Sequence, residues 1–297
     1  MSLKGYFQAV RAFSFTATMV SIVLGAALGA QDAGTFSWPL FAVVLACALL
    51  LHAGTNVLSD YFDYKKGIDT DYSFGSSRVI LEKLLTPRKV LIEAIVIFAT
   101  AVLLSLILIA FRGWPIVVLG VVGLFAGVFY SWGPSYKYFA LGDLAVFTMF
   151  GPLMVLGSFY VQAQRFSATA FLLSLPAGFL VAAILVGNNI RDIKHDRIAK
   201  VKKVSTLLGH NKAKWEYYLL VAAAFCSVAV LALNSMVPLW SLAVLIVLPI
   251  AFSNIRLVSQ SSPDNPEAIA DIDVRTAKLH LIFGILLIVS IVIRIAI

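Results

Sequence analysis

Leu40-Phe-Ala-Val-Val-Leu-Ala-Cys47-Ala-Leu-Leu-Leu-His52-Ala-Gly-Thr-Asn56-Val-Leu-Ser-Asp60-Tyr-Phe-Asp63-Tyr-Lys-Lys66-Gly-Ile-Asp69-Thr-Asp71 joins an apolar run to a polar cluster with no breaker between them. The apolar part, residues 39–58, has the ~20-residue length of a helix that crosses a bilayer. Continued as helix, it carries Asn56, Asp60 and Asp63 at i, i+4 and i+7, so an amide and two carboxylates share one face over two turns. That face repels itself unless a cation sits on it.

Outward from this stretch the pattern repeats. Nine apolar segments of similar length run over 12–30, 39–58, 90–111, 115–132, 142–162, 167–188, 215–234, 238–253 and 277–296, the eighth being short. Breakers mark the joints: Gly34 to Pro39, Thr86-Pro87, Gly113-Trp-Pro115, Gly133-Pro134, Ser235 to Pro238, and the run from Ser261 to Pro266. With 61% hydrophobic residues and a mean hydropathy of +0.94, the chain is too apolar for a soluble domain. The expected fold is an all-α membrane protein, nine transmembrane helices in a bundle around a central cavity. We read residues 1–297 as a single domain. No small-residue cleavage site closes the first apolar block, which is therefore a retained helix.

The net charge of +8 suggests nucleic acid until the charges are placed. Of 23 Lys and Arg, only Arg112, Arg165 and Arg294 fall on one side of the nine-span layout; the others cluster at the N-terminus and in the alternate loops. Positive charge stays on the cytoplasmic side. The N-terminus is thus expected inside, in a multi-pass protein of the cell membrane, with no nucleic-acid partner. Cys47 and Cys226 both lie in apolar blocks and are expected as buried thiols without a disulfide.

A second polar stretch, Asn188-Asn189-Ile-Arg191-Asp192-Ile-Lys-His195-Asp196, repeats the i, i+4 spacing at the end of the sixth segment. The two stretches stand at matching places in the chain, which suggests four-helix pseudo-repeats around 12–135 and 140–256. Together they hold six of the 15 Asp and Glu. Carboxylates at the edge of hydrocarbon are costly and mark function. Hard oxygen ligands suit Mg²⁺, which takes one or two carboxylates and completes its shell with water and phosphate oxygens. Several carboxylates suggest two ions. The interleaved Lys65, Lys66, Arg191 and Lys194 would neutralise charge that the metal leaves on a diphosphate. Such a site at the end of a membrane bundle implies a ligand with a polar head and an apolar tail, for which a prenyl diphosphate fits. Breaking its allylic carbon–oxygen bond leaves a carbocation that needs dry π faces; Tyr64, Tyr130 and Tyr138 could supply them, or could stand in the interfacial aromatic belt.

At these residues the chain resembles the UbiA superfamily of intramembrane prenyltransferases, whose two aspartate-rich motifs follow helices 2 and 6 of a nine-helix bundle. Its first motif is similar to the MenA-like branch, which makes demethylmenaquinone: Asn56, Asp60, Asp63, Gly67 and Asp69 meet the pattern Asn-x3-Asp-x2-Asp-x3-Gly-x-Asp. Asn188, Asn189, Arg191, Asp192, Asp196 and Arg197 match the second motif. Further similar segments are Ser77-Arg78-Val79, Tyr136-Lys137-Tyr138 and Leu141-Gly142-Asp143. The resemblance implies that Asn56, Asp60, Asp63, Asp69, Asp192 and Asp196 hold Mg²⁺, directly or through water. It implies that Arg78, Lys137, Asn188, Asn189 and Arg191 contact the diphosphate, with Arg11 joining them or serving as a topogenic charge. His52 is a core histidine or an acceptor-side base, and His195 is expected on the loop surface. After Asp196 the family continues Arg-x-x-Gly-Lys-Arg-Thr-Leu; here Lys200 replaces that Gly and Lys203 that Thr.

The resulting expectation is Mg²⁺-dependent transfer of a prenyl chain, geranylgeranyl or longer, from a polyprenyl diphosphate to an aromatic acceptor. The first motif favours 1,4-dihydroxy-2-naphthoate. A hydroxybenzoate, a porphyrin-derived ring or an archaeal glycerol-phosphate lipid are the other acceptors in view. An ion-coupled lipid transporter is the reading from another class, against which the acids gather at one membrane face.

Overall fold

The computed structural model describes residues 3–70 and 75–296, so Asp71 lies outside the described residues. Every named element among them is helical. A short amphipathic helix, α1 (Leu3–Val10), leads through a left-handed Arg11 (φ 54°) and one 3₁₀ turn into α2 (Phe15–Ala33). Next come α3 (Trp38–Lys65), α4 (Pro87–Arg112) and α5 (Trp114–Phe129), each with a proline in its first turn, where the missing N–H costs nothing. Then α6 (Gly142–Thr148) and α7 (Met154–Ala163) are joined by a π turn over Met149–Leu153. The chain goes on through α8 (Ala168–Arg191), two short helices α9 (Ile193–Ile198) and α10 (Val204–Leu208), α11 (His210–Leu233), α12 (Leu248–Gln260) and α13 (Ile272–Ala296).

Eight of the helical segments are long and apolar enough to cross a bilayer, and the shorter Trp114–Phe129 is apolar throughout. The protein is a multi-pass integral membrane protein. The segment expected to be short runs for 22 residues, Leu239–Gln260, because its first half is 3₁₀ helix and only its second half, α12, is α-helix. Pro249 in the first turn of α12 cannot donate, so the α-ladder does not extend back past it. Pro152 acts alike inside the π turn. There the Ser21 hydroxyl donates to the Phe150 carbonyl at 2.5 Å, giving the disturbed backbone a partner.

Helix packing relies on small residues, as expected where lipid removes most of the hydrophobic drive to associate. A Cβ on Gly25 would stand 2.2 Å from the Val155 carbonyl oxygen, and one on Gly29 2.7 Å from that of Phe159, so α2 and α7 meet backbone to backbone. Gly151 and Gly178 let the π turn meet α8 in the same way. Buried hydroxyls tie the crossings: Ser158 donates to Ile22 O at 2.6 Å, and Tyr217 on α11 bonds Thr276 on α13 at 2.8 Å. The main apolar core runs through α8, α11 and α13, and a second core joins α1, α3 and α4. Cys47 is buried as expected, but Cys226 is exposed and is not among the buried residues of α11.

Lys200 adopts φ 56°, the left-handed region where glycine is free and a side chain is strained. This accounts for the glycine of the family pattern. Lys200→Gly is therefore expected to stabilise the protein by about 1 kcal/mol, read as a rise of a few degrees in thermal unfolding in detergent.

Candidate active site

The α3 helix continues unbroken to Lys65, past the end of its apolar run, so its last turns present Asn56, Asp60 and Asp63 on one face. Each meets a partner from elsewhere. Asn56 Nδ2 donates to Val10 O at 3.1 Å and to Ser14 Oγ at 3.3 Å, fixing the turn between α1 and α2. The left-handed Arg11 places its guanidinium on Asp60, which also accepts from the Ser77 hydroxyl. Asp60 is buried behind this pair. Asp63 accepts from Lys137 Nζ at 2.7 Å, from Ser59 at 3.2 Å and from the Tyr138 hydroxyl. Lys137 also donates to Ser59 at 2.5 Å and lies over the rings of Tyr138 and Tyr130, at 4.9 and 5.4 Å from their centroids. Burial lowers the Lys137 pKa against the pull of Asp63.

The second stretch bends. α8 ends at Arg191, Asp192 caps it, and α9 restarts at Ile193, yet Asp192 N→Asn188 O and Asp196 N→Asp192 O preserve the i, i+4 register. Arg191 holds both Asp192 oxygens, at 2.8 and 3.1 Å, and is anchored by Ala270 O at 3.0 Å and Asp273 at 3.6 Å. Asp196 pairs with Lys203 Nζ at 2.8 Å. Burial raises the Asp196 pKa, whereas on Lys203 the nearby Asp196 and Asp192 outweigh burial and hold the ammonium charged. Asn189 Nδ2 donates to Asp143 at 2.8 Å.

Between the two stretches opens a cavity of about 610 Å³. Its mouth carries Arg11, Asn56, Asp63, Asp69, Tyr130 and Lys137 from one side and Asn188, Asn189, Asp192, Asp196 and Lys203 from the other. Below the mouth the wall is apolar, built from α3, α4, α5 and the helix after the π turn. Val102 and Leu106 of α4 and Val117 and Val121 of α5 line it and are exposed. His52 lies in the wall just under the mouth, its ring nitrogens bonded to Thr18 at 2.8 Å and Ser14 at 3.2 Å and its ring against Phe150.

Several expected residues take other positions. Lys65 is exposed because it points to the side of the helix opposite Asp60 and Asp63, and Tyr64, at the edge of the acidic face, is exposed in the last turn of α3. Lys66 does not line the cavity; it ties the first stretch to Ser135 Oγ at 2.6 Å and Ser131 O at 3.2 Å. Arg78, left-handed at φ 63°, pairs with Glu82 at 3.2 Å. Arg191 sits behind Asp192, and Tyr138 is reached through Asp63. His195, expected on the loop surface, lines the mouth and bonds Thr70 at 3.1 Å. Nothing in the sequence singles out Ser59 or Asp273, common residue types whose spacing carries no signal; Ser77 and Asp143 stand there only within segments similar to the family, and Lys203 as a departure from its pattern.

Among the described residues no three carboxylate, imidazole or thiol groups are gathered closely enough to hold a metal by themselves. Four of the carboxylates have a cation in contact: Asp60, Asp63, Asp192 and Asp196. Asp69 has none among the described residues, and burial, then Asp63 and Asp60, push its pKa up to about 7. Asn188 Oδ1 and Asn189 Oδ1 are buried without partners. A carboxylate with no cation in contact and two amide oxygens without partners, all lining a cavity, fit a divalent cation whose shell is completed by water and phosphate oxygens.

Such a mouth over such a cavity characterises an integral membrane protein suited to an amphiphile, anionic at its head and apolar along its tail. The chain belongs to the UbiA prenyltransferase family, whose sequence profile matches residues 18–290, and members of that family are prenyltransferases. It is 30% identical over 291 residues to UbiA prenyltransferase domain-containing protein 1 of Xenopus tropicalis, covering 97% of this chain and 81% of that protein. It is 29% identical over 288 residues to 1,4-dihydroxy-2-naphthoate octaprenyltransferase of Bacillus subtilis, covering 96% and 91%. A UbiA homolog from Archaeoglobus fulgidus, solved bound to DMAPP and Mg²⁺, shares the fold at a TM-score of 0.60 and 16% identity, covering 96% of this chain and 99% of that one.

Proposed function

We propose that this enzyme transfers a prenyl chain from a polyprenyl diphosphate to an aromatic acceptor, 1,4-dihydroxy-2-naphthoate, as a step of menaquinone biosynthesis. The observation that carries the reading is the cavity: ammonium, guanidinium and carboxylate groups at its mouth and an apolar bore beneath. The similarity to the Bacillus octaprenyltransferase supports the acceptor, and the Archaeoglobus homolog bound to DMAPP and Mg²⁺ supports the donor and the ion.

On this reading the diphosphate lies at the mouth and the prenyl tail in the bore. Asp69 and Asp63, with Asp60, Asp192, Asp196 and Asn56 around them, would hold Mg²⁺, which when bound neutralises charge on the leaving diphosphate. Lys137 and Lys203 would donate to its oxygens. The allylic carbon–oxygen bond breaks with its electron pair going to the diphosphate. The Tyr130 face, which Lys137 already uses, would lie beside the carbocation, and the apolar wall keeps water from it. A ring carbon of the acceptor then attacks, and the ring regains aromaticity by losing a proton from that carbon or, where the carbon bears the carboxylate, by losing carbon dioxide, the bonding pair returning to the ring in either case. His52, below the mouth and hydrogen-bonded to Ser14 and Thr18, would stand on the acceptor side.

The positive-inside bias supports a cell-membrane protein with nine spans, Trp114–Phe129 being one of them, with the N-terminus and the mouth facing the cytoplasm. We read the chain as one domain, with the two acidic stretches as equivalent points of pseudo-repeats around 12–135 and 140–256.

The test is Mg²⁺-dependent diphosphate release from geranylgeranyl diphosphate by purified protein, with and without 1,4-dihydroxy-2-naphthoate, followed by mass spectrometry of the lipid extract. A prenylated naphthoate is the expected product. Release that yields no such product would remove the acceptor and keep the donor, sending the search to hydroxybenzoate, porphyrin-derived or glycerol-phosphate acceptors. No release with any tail length would overturn the reading.

A further inference from the structure

Lys203 stands where the cavity's second acidic stretch would take a cation. Its backbone is held from both sides. Ala140 N donates to Lys202 O at 2.8 Å, joining the loop to the Tyr136-Lys137-Tyr138 turn, and Lys203 N donates to Thr206 Oγ1 at 2.9 Å at the start of α10. A long flexible side chain is thereby launched from a fixed point. Its ammonium reaches Asp196 at 2.8 Å, and the pair lies at 23% and 4% side-chain exposure. The arrangement mirrors Lys137 on Asp63 at 2.7 Å across the mouth.

The two stretches differ in which carboxylates have a cation in contact, although the amide oxygens of Asn188 and Asn189 on the second have no partner. At the second, Arg191 covers both oxygens of Asp192 and Lys203 holds Asp196. The neighbouring acids are engaged as well, Asp143 by Asn189 and Asp273 by Arg191. At the first, Arg11 and Lys137 hold Asp60 and Asp63, and Asp69 has no cation among the described residues. A divalent ion entering between Asp192 and Asp196 would meet an ammonium already in contact with one of its two ligands, and its double charge doubles the repulsion. An ion entering at Asp69 displaces the Ser76 hydroxyl and no cation in contact with the carboxylate.

We infer that the Lys203 ammonium serves in place of a divalent ion at the second acidic stretch, so that the diphosphate head is held by one divalent ion at the first stretch and by a fixed lysine at the second. The two ions suggested by the paired motifs become one. The inference rests on the diphosphate reading above and assigns to Lys203 a binding role that its sequence position alone does not give.

The experiment counts metal. Full-length protein in detergent is equilibrated with Mn²⁺ and saturating inorganic diphosphate, freed of unbound ion by gel filtration, and assayed for Mn per chain. The wild type is expected to retain one Mn²⁺, Lys203→Arg one, and Lys203→Thr two. Two ions in the wild type would overturn the inference whatever the variants do. One ion in a Lys203→Thr protein that elutes as the wild type and still retains diphosphate would overturn it too, and Lys203→Met gives a neutral variant of similar volume should the threonine protein fail to fold. Diphosphate binding with no Mn²⁺ in any form would instead count against the metal–diphosphate site itself, and hence against the proposed function.

Discussion

Asp63→Asn is expected to lower kcat by about 10³-fold, the order lost when one preorganised charged group is removed from the place where transition-state charge develops. The side chain lines the cavity mouth, its volume is unchanged by the substitution, and Ser59 and Tyr138 can still donate to the amide oxygen. The fold should survive and the loss should be chemical. Asp60→Asn is expected to lose comparable activity and also about 3 kcal/mol of stability, because Asp60 is the buried counter-charge of Arg11, and a buried ion pair broken from one side leaves the other charge stranded. The two effects separate in a double variant. Adding Arg11→Gln to Asp60→Asn should recover most of the thermal stability and none of the turnover. Steady-state kinetics and thermal unfolding on the same four preparations check both. Full activity in both aspartate variants at normal expression would remove these carboxylates from the reaction.

The second large effect is structural. Gly25→Ala is expected to abolish well-folded protein or to lower its unfolding temperature by more than 10 °C, since the added carbon would lie 2.2 Å from a backbone oxygen of the facing helix and neither backbone can yield without repacking α2 against α7. Overpacking of a core costs about 1–3 kcal/mol where side chains can adjust; here the obstacle is backbone, and the cost should exceed that range. Gly120→Ala is the matched control: the same substitution in an apolar helix, with nothing within 4 Å of the new carbon, and no loss of stability expected. Size-exclusion profiles and thermal unfolding in a mild detergent decide the comparison. Equal behaviour of the two variants would mean that close approach at Gly25 does not hold the bundle together.

Much of this architecture can be read from the residues because a bilayer leaves few options. Apolar blocks of crossing length must be helices, and the first acidic stretch kept helical spacing because no breaker separates it from the run before it. Where the reading failed, non-local geometry was responsible. Lys65 is close to Asp63 in sequence, yet two residues along a helix are a rotation of about 200°, and Tyr64 shares the side of Asp60 but stands in the exposed last turn of α3. Arg78 and Arg191 are cations of the right type whose partners, Glu82 and Asp192, are close in the chain and capture them. His195 was taken for surface because nothing in the sequence says that Thr70 crosses over to it. Lys203 was legible as an added charge, but its pairing with Asp196 depends on the contact between its loop and the Tyr136-Lys137-Tyr138 turn, which no spacing rule reports.

The bore lined by α4 and α5 bears on which donors the enzyme accepts. A tunnel sealed at its far end acts as a ruler, because every added isoprene unit must find room or be refused. Here Val102, Leu106, Val117 and Val121 belong to the cavity wall and are exposed, and under the proposed reading the bore opens to lipid between α4 and α5. A tail that outgrows the bore would continue among the lipid chains, where its methylenes are as well solvated as inside the protein. Under the proposed reading the head of the donor is selected strictly and its length hardly at all, and the length of the product's side chain reports the diphosphates that the cell supplies.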